Sequence, residues 1–77
     1  MICYSIRQDM LEDENIGQYI SFGIDILKDG KPIRVIKDVS PNKKRLCSLV
    51  NLLNKLQPSL IHIDDIIEDF LVWPFRI

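Results

Sequence analysis

Ser21-Phe22-Gly23-Ile24-Asp25-Ile26-Leu27-Lys28-Asp29-Gly30-Lys31-Pro32-Ile33-Arg34-Val35 carries the clearest structural signal in the chain. Asp29-Gly30 stands between two alternating apolar runs and suits a two-residue type I′ turn, whose central positions both need positive φ. Folding the chain there sets Asp25 opposite Arg34, Ile26 opposite Ile33, Ile24 opposite Val35 and Ile20 opposite Val39. Apolar residues then meet on one face and an opposite-charge pair on the other. The expectation is a hairpin of strands over about 18–27 and 32–39.

Upstream, residues 2–10 alternate Ile2, Tyr4 and Ile6 against Cys3, Ser5, Arg7 and Asp9. A loop around 11–15 would put Tyr4 across from Phe22, Ile2 across from Ile24 and Ile6 across from Ile20. The opposite face then holds Ser5, Arg7, Asp9, Tyr19, Ser21, Asp25, Arg34 and Asp38. A meander with one apolar side needs a cover.

Two helices are predicted to supply it, over about 41–56 and 62–72. Ser40-Pro41 reads as the first start, with Ser40 as cap and Pro41 at the position where an N–H is dispensable. Leu46, Leu49, Val50, Leu53 and Leu56 recur at three- and four-residue steps, as do Ile63, Ile66, Ile67, Phe70 and Leu71. Such stripes are the core faces of amphipathic helices. The chain therefore reads as one α+β domain, a three-stranded antiparallel β-meander with two C-terminal helices packed on one face. Sealed this way, the sheet is expected to leave no concavity that could house a reaction.

Composition agrees with a soluble single domain. Of 77 residues 47% are apolar and 27% charged, and no window approaches the roughly 20 uninterrupted apolar residues of a membrane span. The N-terminus shows no signal-peptide pattern, and Cys3 and Cys47 lie far apart without a Cys-x-x-Cys motif, so reduced, partly buried thiols in a cytoplasmic protein are expected. Charge falls into blocks of net −4 over 1–27, +6 over 28–55 and −3 over 56–77. With a sequence pI near 5.7, neutralisation of the basic centre within the fold is the preferred reading over a nucleic-acid footprint.

Candidates for chemistry are few. His62, the single histidine, lies near Asp65 and Asp69, but divalent sites generally need three or four protein ligands, so no metal or cofactor is expected. Asp64, Asp65, Glu68 and Asp69 share a helix side that suits solvent, or a basic partner, better than acid–base catalysis, which needs a cleft that separates two carboxyl pKa values. Lys43, Lys44 and Arg45 open the first helix, where the dipole disfavours cations; solvated or intramolecularly paired bases are the preferred reading, with an anion or nucleic-acid contact as the alternative. In the tail, Trp73, Phe75 and Ile77 alternate, and Leu52, Leu60 and Ile61 fall off the main stripes. The tail is expected either to fold back on its own domain and close an uncovered edge of the core or to lie on a second copy, and the apolar surplus as a whole points to a homodimer or another protein partner. No catalytic constellation can be assembled, so the expectation is a non-enzymatic interaction module, with nucleic-acid regulation as the alternative.

Asp38-Val39-Ser40, the helix ending Leu53-Asn54-Lys55-Leu56-Gln57-Pro58-Ser59, His62-Ile63-Asp64-Asp65-Ile66-Ile67-Glu68-Asp69-Phe70-Leu71 and Tyr19-Ile20-Ser21-Phe22-Gly23 together resemble a family of small uncharacterised bacterial proteins of clostridial type, defined by a domain of unknown function. The likeness covers most of the chain, and Trp73–Ile77 departs from the shorter ending of that family. The resemblance implies a bacterial cytoplasmic setting and no activity, cofactor or substrate.

Overall fold

Asp29 and Gly30 both take positive φ, 51° and 81°, and reverse the chain as their sequence requires. The computed structural model describes residues 1–72. It contains β1 (Ile2–Asp13), β2 (Gly17–Lys28), β3 (Lys31–Ser40), α1 (Lys43–Leu56) and α2 (Ile63–Val72), with a 3-10 turn at Leu60–His62 between the helices. The strands form one antiparallel sheet in the order β1-β2-β3, so the α+β meander with two following helices is the architecture. Tyr4, Ile24 and Ile26 of the sheet are buried with Leu46, Leu49, Val50 and Leu53 of α1 and Ile63 and Ile67 of α2. The tail residues Trp73, Phe75 and Ile77 lie outside the described residues.

The strand registers differ from those read off the sequence. Lys28 faces Lys31 and Leu27 faces Pro32 beside the turn, but Ile26 then faces Arg34 and Asp25 faces Val35. Ile33 is the extra residue of a bulge, and one inserted residue sends all later side chains to the other face. Ile33 and Val35, expected inside, are therefore exposed, while Ile36 packs against the core. Arg34 does not meet Asp25. It reaches Asp64 at the start of α2, at 2.5 Å, and Asp25 instead accepts from Arg7 at 2.8 Å.

A second irregularity follows. Ile24 faces Ile36 while Phe22 faces Ser40, so three residues of β3 stand against Gly23 alone. A Cβ on Gly23 would lie 2.1 Å from the carbonyl oxygen of Ile36, so the close approach of the two backbones requires glycine. Asp38 bends this segment with φ 55°, and its carboxylate accepts hydrogen bonds from the Ser21 hydroxyl at 2.7 Å and the Tyr19 hydroxyl at 3.3 Å. Burial, with the Asp38 carboxylate beside it, raises the Tyr19 phenol pKa.

Between β1 and β2 the register is displaced by four residues. Tyr4 faces Ile26, Ile6 faces Ile24 and Met10 faces Ile20. The turn is later than expected because Asp13 Oδ1 accepts from the N–H of Asn15 at 2.7 Å and of Ile16 at 3.4 Å, and Gly17 takes φ 78°. Both strands consequently run on through Leu11–Asp13 and Gly17–Tyr19. An even displacement preserves the inward face, so the error left the core assignment of β1 intact.

Helix α1 also starts later than expected. Asn42, not Ser40, is the cap, its Oδ1 accepting from the Arg45 N–H at 3.0 Å, while Ser40 Oγ accepts from the Asn42 N–H at 3.0 Å. At the other end Gln57 turns left-handed with φ 47°, and its N–H donates to the Leu53 carbonyl at 2.9 Å. Leu56, on the expected core stripe, ends up 63% exposed, because the helix stops before anything packs over it.

Candidate functional site

The outer edge of β1 is where the fold leaves backbone and space available. β1 pairs with β2 without a bulge, so its residues alternate strictly between bonding inward to β2 and pointing outward. Two side chains of α1 identify the outward set. Asn54 Oδ1 accepts from the Tyr4 N–H at 2.8 Å while its Nδ2 donates to the Tyr4 carbonyl at 2.8 Å. Gln57 repeats the pattern at Ile2, accepting at 3.2 Å and donating at 2.7 Å. Each amide side chain imitates the peptide group of a fourth strand. This mimicry ends at Tyr4. The outward N–H and C=O groups of Ile6, Gln8, Met10 and Glu12 meet no partner among the described residues.

Beside this open stretch lies a groove of about 540 Å³, a correction to the sealed face expected from the sequence. Tyr4, Ile6 and Gln8 line it from β1, and Lys43, Asn51 and Asn54 from α1. The groove lies between these β1 side chains and the face of α1 that runs from Lys43 to Asn54. Beyond it the facing pair Met10 and Ile20, on the helix side of the sheet, stays 64% and 44% exposed. The Tyr4 hydroxyl is buried without a hydrogen-bond partner among the described residues, and burial pushes its pKa up. No histidine or acid lines the groove, and no group of three or more His, Cys, Asp or Glu among the described residues is placed to hold a metal.

On the opposite face of the same strand Arg7 donates to Asp9 at 2.8 and 3.0 Å and to Asp25 at 2.8 Å. These bonds, that to Asp9 first, hold the guanidinium more basic than usual and the Asp9 carboxyl below its ordinary range. Lys37 of β3 adds to the lowering at Asp9. Cys3 lies on this face and is exposed, whereas Cys47 is half-buried; both are free thiols.

The residues singled out from sequence do not gather in one place. Lys43 and Lys44 are exposed at the start of α1, and Lys43 reaches the groove. Arg45 turns the other way. Its guanidinium donates to the Phe70 and Leu71 carbonyls and lies 4.8 Å from the centre of the Phe70 ring, closing the C-terminal end of α2. The basic triplet is therefore split. Asp64 is committed to Arg34, Asp65 and Glu68 are exposed, and so is Asp69. His62 is exposed in the 3-10 turn, where its N–H donates to the Ser59 carbonyl at 3.0 Å. Missed altogether were Gln8, Asn51, Asn54 and Gln57. A signal for the last three was present: amides recurring every third residue along the flank of an apolar helix stripe.

The chain belongs to DUF6514, a family of unknown function, whose model matches residues 1–72. Neither the curated proteins nor the solved structures contain a match. No helix among the described residues is long and apolar enough to cross a membrane.

Proposed function

We propose that this member of the DUF6514 family is a small non-enzymatic interaction module, a homodimeric regulator or adaptor that acts through protein contacts. The observation that carries the reading is the number of large apolar side chains left exposed, among them two sets on different elements. One is the Met10–Ile20 pair at the far end of the sheet; the other is Leu52, Leu56, Leu60 and Ile61 on and after α1, with Ile61 81% exposed. Apolar groups on two distinct elements suit contact with a second copy and with another protein. Trp73, Phe75 and Ile77, together with the acids Asp65, Glu68 and Asp69, are part of the proposed contact surface for that other protein. A bacterial, cytoplasmic setting, supported by the family resemblance and the two free thiols, completes the proposal.

Size-exclusion chromatography with light scattering on the full chain and on a chain stopped after Val72 tests it. The full chain is expected at twice the monomer mass, and any loss in the shortened chain measures the contribution of Trp73, Phe75 and Ile77. A monomer in both removes the homodimer. Nucleic-acid regulation is favoured only by the two exposed lysines, Lys43 and Lys44, with Lys37 nearby in the chain, since Arg45 is engaged by α2. Failure of a labelled duplex and a labelled single strand to shift at low salt eliminates it.

A further inference from the structure

We infer that the open edge of β1 is a self-recognition surface, on which β1 of a second copy pairs antiparallel about Gln8 to join two sheets into one of six strands. This rests on the homodimer reading above and specifies where the two copies meet.

The geometry starts from the alternation along β1. Asn54 and Gln57 already occupy the outward groups of Tyr4 and Ile2, so an added strand must begin at Ile6. The outward groups available from there are those of Ile6, Gln8, Met10 and Glu12; a two-fold axis through Gln8 uses the first three and leaves Glu12 opposite the partner's Tyr4, whose outward groups its own Asn54 already holds. Ile6 then bonds the partner's Met10, Gln8 bonds the partner's Gln8, and Met10 bonds the partner's Ile6, about six backbone hydrogen bonds in all. Because the axis is perpendicular to the sheet, both pairs of helices lie on the same side.

Charge selects this register. On the face away from the helices, pairing about Gln8 sets Arg7 directly against the partner's Asp9, and Asp9 against the partner's Arg7. Ser5 meets the partner's Leu11. Sliding the partner by one pairing step toward the N-terminus opposes Arg7 to the partner's Arg7; one step the other way opposes Asp9 to the partner's Asp9. Like charges directly opposite on neighbouring strands are destabilising. Arg7 and Asp9 are already held on that face by mutual bonds and by Asp25, so the complementary pattern is in place before a partner arrives.

Shape agrees on the helix side. In this register the partner's Met10 stands beside Ile6, at the mouth of the groove formed with Gln8, Lys43 and Asn51. A flexible thioether side chain suits an irregular apolar gap. Each copy thus offers one exposed Met10 and one groove, and the two-fold operation matches them reciprocally, as an isologous interface demands. The other sheet edge has no such regular stretch: β3 carries Pro32 and two register breaks.

Three measurements on the full-length protein test the inference. Amide exchange by NMR should show the N–H groups of Ile6, Gln8 and Met10 slowing by at least tenfold as concentration rises through the dimerisation range, while the inward-bonded Ser5, Arg7 and Asp9 are slow throughout. In a background with Cys3→Ser and Cys47→Ser, Gln8→Cys should oxidise to a covalent dimer and Lys31→Cys should not. Gln8→Pro, which removes an outward N–H and no bond to β2, should lower the dimer fraction at least tenfold with the circular dichroism spectrum retained. If Gln8→Pro fails to fold, exchange and cross-linking still decide. A dimer whose Ile6, Gln8 and Met10 amides exchange freely and whose Gln8→Cys form does not cross-link overturns this interface and leaves the homodimer standing. Protection that does not change with concentration places another segment of the same chain on the edge and also overturns it. A monomer at all concentrations defeats both readings.

Discussion

The two edges of this three-stranded sheet are treated in opposite ways. The β3 edge is broken up: Pro32 carries no N–H, Ile33 bulges, and three residues around Asp38 stand against Gly23. Lys31, Arg34 and Lys37 add charge along it. These are the usual devices by which a sheet discourages further strands. The β1 edge is long and unbroken, and α1 covers its first half with amide side chains that copy a strand's hydrogen bonds. Its second half is left open beside a groove. An exposed edge is a hazard only when any strand can join it. Here Asn54 sets where pairing stops, and Arg7 and Asp9 set which register is tolerated. One edge discourages added strands, and under the proposed pairing the other admits a particular one.

The comparison breaks most severely if the β3 irregularity is removed. Gly23→Ala drives a methyl group into the Ile36 carbonyl, so the bulge must open and Ser21 and Asp38 lose their alignment. Loss of more than about 2 kcal/mol is expected, read as a lower urea midpoint at unchanged slope. Next is Asn54→Ala, which strips both outward groups of Tyr4 of their partner at a half-buried position. A loss of about 1–2 kcal/mol is expected, against about 0.5 kcal/mol or less for Gln57→Ala, whose contacts with Ile2 are exposed to water. Equal effects of the two would mean that the amides do not guard the edge differently along its length.

Acid should weaken the β1 face. The folded-state pKa of Asp9 is depressed by Arg7, so its contribution to stability is present above the unfolded value, about 3.9, and is lost as pH falls through the lower folded value. Urea midpoints between pH 5 and 2 should fall, and Asp9→Asn should flatten that fall. The smallest effect is at Tyr4→Phe. Removing a buried hydroxyl that has no partner among the described residues leaves stability unchanged or raises it by up to about 1 kcal/mol, measured by thermal unfolding. A loss above that would reveal a bond to the hydroxyl that only the assembled protein makes.

Much of the architecture was legible in the residues. Asp29-Gly30 marked its turn, the period-two pattern of Tyr4, Ile24 and Ile26 marked the inward face, and the leucine stripe of α1 marked the helix that covers it. Registers were not legible. Matching apolar residues across a turn has several solutions that differ by even steps, and an Asx bond at Asp13 chose among them. Bulges are harder still, since Ile33 and Val35 look like core residues until one inserted position reverses them. Of the basic cluster, the preferred reading, bases solvated or paired within the fold, fits Arg45, which closes α2. The groove left only a faint trace, the amides Asn51 and Asn54 on the flank of the α1 stripe.

Local chemistry thus settled which segments become strands and helices and which side of each is apolar, because turn propensity and hydrophobic period are properties of a few neighbouring residues. Only the tertiary structure decided which edge stays open. That outcome depends on where α1 ends relative to β1 and on which backbone groups Asn54 and Gln57, some fifty residues away in the chain, happen to meet. Hydrogen-bond satisfaction at an edge is a property of the assembled layers, and no single stretch of sequence contains it.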